Sequence, residues 1–207
     1  MNDIKNISKN SKNIIDFSTK YFERLSQIFK SIDKKKIKYL EDKLHQIRSR
    51  GGNIFVFGNG GSAANASSMA NDLGFDILKK IKLKKCFRVF SLNDNSSVIT
   101  AISNDVGFDQ VFLGQLKIHF RKNDLIIILS ASGNSKNLIK TINWIKNNKG
   151  YVFSIVGFDG GKLKKISNNF LHIKSNNGEY GPVEDIQLII NHIFAHWFQK
   201  IFKAKKN

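Results

Sequence analysis

A chain of 207 residues, 41% of them hydrophobic and 11% aromatic, is long enough for one sizeable core and short for two full domains. The formal charge of +18 invites an anionic partner. Its lysines are spread along the chain, however, with local runs only at Lys34–Lys36, Lys79–Lys85 and Lys203–Lys206, and no RNP, zinc-finger or basic-zipper signature accompanies them, which argues against nucleic acid. The single cysteine, Cys86, excludes an internal disulfide and a cysteine-based metal cluster, so a reducing compartment is expected. No stretch approaches the ~20 apolar residues that span a bilayer, and the expectation is a soluble cytoplasmic protein without membrane contact.

Residues 1–12 read as a polar extension. Ile14, Phe17, Tyr21, Phe22, Leu25, Ile28 and Phe29 recur at helical spacing, and a second helix is expected over 35–48. Gly51 and Gly52 stop it, and the apolar run 53–57 has the form of a buried parallel strand. From there strands and helices alternate. A helix starts near Ser62, strands are expected at 87–92, 125–129, 151–156 and 170–173, and helices at 98–103, 108–120, after Ser135, at 162–166 and at 183–202. Alternation of this kind means parallel strands joined by right-handed crossovers. The fold class is therefore α/β, a doubly wound parallel sheet flanked by helices on both faces, with the leading helices free for subunit contacts. Pro182 suits the start of the last helix, just after the loop 175–181.

Two loops carry the functional signal. The first strand runs into Gly58, Asn59, Gly60, Gly61 and Ser62, then a helix, so backbone N–H groups and a helix N-terminus converge where an anion can sit. The match to G-x-G-x-x-G/A ending at Ala63 is a weak dinucleotide signal, because Asp94, the only candidate ribose carboxylate, lies too far along. The second loop, Ser130, Ala131, Ser132, Gly133, Asn134 and Ser135, again joins an apolar strand to a helix and offers three hydroxyls. Neither loop has the lysine of a nucleotide-binding P-loop, so a phosphomonoester fits better than a nucleotide. Both loops also read as ordinary turns in which Gly and Ser serve backbone geometry and capping.

These loops, with the segments 101–108, 156–162 and 191–193, resemble the sugar isomerase (SIS) domain and, within it, the phosphoheptose isomerases, over about residues 14–202; the domain is drawn at 13–203. The resemblance implies a homotetramer acting on a phosphorylated sugar, the interconversion of sedoheptulose 7-phosphate and D-glycero-D-manno-heptose 7-phosphate, and a role in surface polysaccharide. By the same resemblance Ser62, Ser130, Ser132 and Ser135 hold the phosphate, with Gly60, Gly61 and Ala131 lining the loops, and Asn59, Asn104 and Asp105 meet the sugar chain. Asp72 and His192 take the base and acid roles of an enediol mechanism. The pattern departs where the family surrounds a zinc ion: the corresponding positions are Ser68, Asp72, Glu184 and His192, and Asp72, Glu184 and His192 stand as a candidate three-ligand zinc site. His196, four residues on, is assigned to packing or an interface. The alternative function is a non-catalytic tetramer that binds a sugar phosphate or the bacterial replication initiator.

Overall fold

A computed structural model describes residues 3–81 and 85–204; Lys82, Lys84, Lys205 and Lys206 of the basic runs lie outside them. Helices α1 (Ile4–Asn10), α2 (Ile14–Lys30) and α3 (Lys34–Arg50) lead into strand β1 (Asn53–Phe57). Helix α4 (Gly61–Ala70) runs through a π-helical segment (Asn71–Asp76) into α5 (Ile77–Ile81). Then follow β2 (Arg88–Ser91), α6 (Ser96–Asp105), a 3-10 turn (Phe108–Gln110) with α7 (Val111–His119), and β3 (Leu125–Ser130). The chain closes with α8 (Lys136–Asn147), β4 (Tyr151–Val156), α9 (Gly161–Ile166), β5 (Asn169–His172) and α10 (Tyr180–Ala204).

The expected alternation is present, and element ends agree to within a few residues. The expected polar extension is different: α1 is a helix whose Asp3 side chain caps Asn6 N–H and whose Ile7 is buried. Two isoleucines, Ile4 and Ile7, among polar residues were too little periodicity to reveal it. Pro182 falls in the first turn of α10, where a missing N–H costs no helical bond.

All five strands are parallel, in the order β2-β1-β3-β4-β5. Every residue of central β3 is buried, as a strand covered on both faces requires. One core layer packs Leu40, Leu44, Met69, Leu73, Ile186 and Phe194 against one face of the sheet. The other packs Phe57, Phe112, Leu116, Leu138 and Ile142 against the opposite face. The chain leaves β1 toward β2 on one side and returns to β3 on the other. The strand order thus reverses between β1 and β3, and the crevice beyond their C-terminal ends is where open α/β sheets take their ligands. Both Gly/Ser loops start at that point.

Candidate active site

The two loops are in contact. A β-carbon at Gly58 would lie 2.6 Å from the Leu129 carbonyl oxygen and 2.8 Å from Ser62 Cβ, so only glycine allows the first loop to leave β1 so close to β3. Asn93 brackets the same residue, donating its amide to Gly58 O at 2.9 Å and accepting from Gly58 N–H at 3.2 Å. Gly133 (φ +64°) makes the equivalent approach in the second loop, where any side chain would run into the Gly160 carbonyl.

Within the second loop Ser130 Oγ is buried and accepts from Gly133 N–H at 3.0 Å, and Ser132 Oγ accepts from Asn134 N–H at 3.3 Å. Ser135 is the N-cap of α8, yet its side chain makes no capping bond, which leaves the hydroxyl for an anion at the mouth of a twelve-residue helix. Ala131 is buried behind them. Ser62 sits differently from the expectation: it is 2% exposed, and its hydroxyl donates to Gln187 Oε1 at 3.0 Å. Its side chain holds α4 to α10. Asn59 is likewise engaged, exchanging two amide bonds with Asn137 (3.0 and 2.9 Å) and so tying the first loop to α8. Asn104 and Asp105 bond to each other at 2.9 Å at the exposed far end of α6. A ten-residue helix spans about 15 Å, which carries them away from the strand end where α6 begins.

Asp72 lies on the π-helical segment. The wider turn adds a residue to the local repeat, a feature that recurs at functional sites, and the carboxylate meets α10. Asp72 Oδ2 stands 3.6 Å from His192 Nε2 and accepts from Asn191 Nδ2 at 2.5 Å, while Asp72 Oδ1 accepts from Asn71 Nδ2 at 3.0 Å. The acid and base candidates, 120 residues apart in sequence, are thus neighbours. His192 is about half exposed and opens onto a groove between α3 and α10.

Glu184 does not join them. Its carboxylate presses against Gly61 at the start of α4, where a side chain would displace it. Burial, reinforced by the neighbouring Asp185, raises its pKa. Among the described residues no three His, Cys, Asp or Glu side chains gather closely enough to hold a metal ion. Asp72, Glu184 and His192 of one chain therefore do not fit a zinc ion, and Ser68 adds only a poor donor.

Three polar residues went unassigned in the sequence: Asn137, Gln187 and Asn191. All are buried side chains that organise the site. Their signal was a polar amide on an otherwise apolar helix face, as at Val183, Gln187, Asn191 and Ala195 on α10.

The geometry defines a SIS-type protein, and residues 18–157 match the SIS domain family. The phosphoheptose isomerase of Helicobacter pylori (strain HPAG1) is 35% identical over 155 residues, covering 74% of this chain and 78% of that protein. The probable phosphoheptose isomerase of Thermoplasma acidophilum is 34% identical over 157 residues, covering 76% and 85%. In fold, the phosphoheptose isomerase structure from Neisseria gonorrhoeae superposes with a TM-score of 0.78 at 22% identity, covering 91% of this chain and all of that one. That from Francisella tularensis gives 0.77 at 20%, covering 91% and 99%. The chain belongs to the phosphoheptose isomerases of the SIS-domain family.

Proposed function

We propose that the protein isomerises sedoheptulose 7-phosphate to D-glycero-D-manno-heptose 7-phosphate. The observation that carries this reading is the Asp72–His192 pair, brought to 3.6 Å where the π-helical segment after α4 meets α10. The relatives' names support the substrate class.

The phosphate is held by the second loop, with the Ser135 and Ser132 hydroxyls and the N–H groups opening α8 as donors. The carbon chain then runs toward α10. Asp72 removes a proton from C1 of the ketose as His192 donates one to the C2 carbonyl oxygen, giving the 1,2-enediol. Return of a proton to C2 and loss of the one on O1 leave the aldose.

The assembly we propose is a homotetramer. It is supported by surface that a lone chain leaves open: α6 has no buried residue, and Ile193 and Trp197 on α10 line an apolar groove of about 780 Å³ beside Ile37. Among the described residues no helix is long and apolar enough to cross a membrane. A cytoplasmic setting and a part in heptose supply for surface polysaccharide complete the proposal. The test is turnover: purified protein given the heptulose phosphate releases the aldose, and binding without release contradicts the proposal.

A further inference from the structure

Helix α10 buries Val183, Ile186, Ile190, Phe194 and Phe198, and an apolar side chain at any neighbouring position would extend that packing. Two fully buried positions carry amides instead, Gln187 and Asn191, one helical turn apart on the same face. Among the described residues two buried side-chain atoms lack a hydrogen-bond partner, and they belong to this pair: Gln187 Nε2 and Asn191 Oδ1. Buried polar atoms without partners are rare in folded proteins, so each calls for a reason.

The amide orientations are set by their neighbours. A carboxylate only accepts, so Asn191 must turn its N–H toward Asp72 Oδ2, and its Oδ1 faces away. Gln187 Oε1 accepts from Ser62 Oγ at 3.0 Å and from Asn65 Nδ2 at 3.3 Å, which turns its Nε2 away in turn. One donor and one acceptor are left without partners, and the two amides are not bonded to each other.

We infer that Asn191 is a positioning residue for Asp72: its amide, held on the buried face of α10, fixes the carboxylate oxygen against that helix. The oxygen that Asn191 holds is the one facing His192, so the bond sets the aim of the pair. Asp72 needs such a hold because, among the described residues, its other oxygen is met only by the preceding residue, Asn71, on the same exposed turn. The role of Asn191 in turnover rests on the proposed isomerase reaction; its bond to Asp72 does not.

The test is a double-mutant cycle with Asn191→Leu and Asp72→Asn, read as kcat and KM separately. Asn191→Leu is expected to lower kcat by roughly 10- to 100-fold, the scale of a ~1 Å misplacement, with KM within about twofold. In the Asp72→Asn background the same change should cost less than about twofold. A fall in kcat that is equal in both backgrounds, or a KM that moves with it, overturns the inference. Thermal melts establish that the variants are folded, and Asn191→Ser, smaller and polar, replaces the leucine variant if that one is not. A second readout needs no substrate. The ¹⁵N side-chain amide signal of Asn191, assigned by its loss in the Asn191 variant, should shift on Asp72→Asn; an unmoved signal overturns the inference, whereas absence of turnover in the unmodified protein sinks only the proposed reaction.

Discussion

Serines with the same sequence context have different jobs. Ser62, Ser130 and Ser135 each stand near the junction of a strand and a helix, yet Ser62 is sealed against Gln187 and Ser130 folds its own loop, while Ser135 keeps its hydroxyl out of the helix cap. Phosphate affinity should therefore be concentrated at Ser135. A hydrogen bond to a charged group contributes about 1.5–3 kcal/mol, so Ser135→Ala is expected to weaken binding of the sugar phosphate at least about tenfold in calorimetry. His192→Ala, which removes the acid but no phosphate donor, is expected to bind normally and to lose turnover. Equal binding losses in the two variants would contradict this division of roles.

At the scale of elements, Glu179 is the junction that fixes α10. It is 3% exposed and receives Arg24 of α2 through two bonds (2.9 and 2.6 Å), Asn176 N–H at 2.6 Å and Ile4 N–H of α1 at 3.2 Å. Burial alone would raise its pKa; Arg24 and the two N–H groups outweigh that and hold it below the usual carboxylate range. Glu179→Gln leaves the Arg24 charge largely buried without its partner and is expected to cost about 3 kcal/mol by denaturant titration. A depressed carboxyl contributes stability that is complete above its unfolded value of 4.5 and is lost as pH falls through the folded one. The gap between the two proteins should accordingly narrow below about pH 4.5, and a gap that stays constant there would contradict the assignment.

Most elements were legible because their signals are local: periodic apolar residues for α2 and α8, continuous apolar runs for β1, β3 and β4, glycines where loops begin. The site was legible only as far as residue types go. Asp72 and His192 could be named from the resemblance, but their meeting depends on the π-helical segment, and nothing in residues 71–76 announces a five-residue turn. Nor could the sequence say that Glu184 would settle against Gly61 rather than beside Asp72, since that is decided by how deeply α10 packs over α4. Asn137, Gln187 and Asn191 escaped because a lone amide on a helix says nothing about burial until the opposing face is known.

At the scale of the whole molecule, a chain carrying a net charge of +18 still leaves large apolar side chains open at Ile14, Ile15, Phe22, Ile193 and Trp197. Self-repulsion opposes association, so these surfaces must gain enough from burial to overcome it. Trp197→Glu puts a charge into the α3–α10 groove. It is expected to lower the mass measured by light scattering from about four chains toward the 23.5 kDa of one, and a variant that keeps the larger mass would remove this groove from the proposed interface.

In the proposed reaction one chain's Asp72 and His192 move protons between a phosphorylated seven-carbon ketose and its enediol. The most direct measurement follows sedoheptulose 7-phosphate with the purified protein in D₂O by proton NMR. D-glycero-D-manno-heptose 7-phosphate is expected to accumulate with solvent deuterium at C2, and Asp72→Asn to slow both its appearance and the exchange by at least about 100-fold while leaving a measurable residue. Substrate that binds and is recovered unchanged, with no deuterium incorporated, would contradict it.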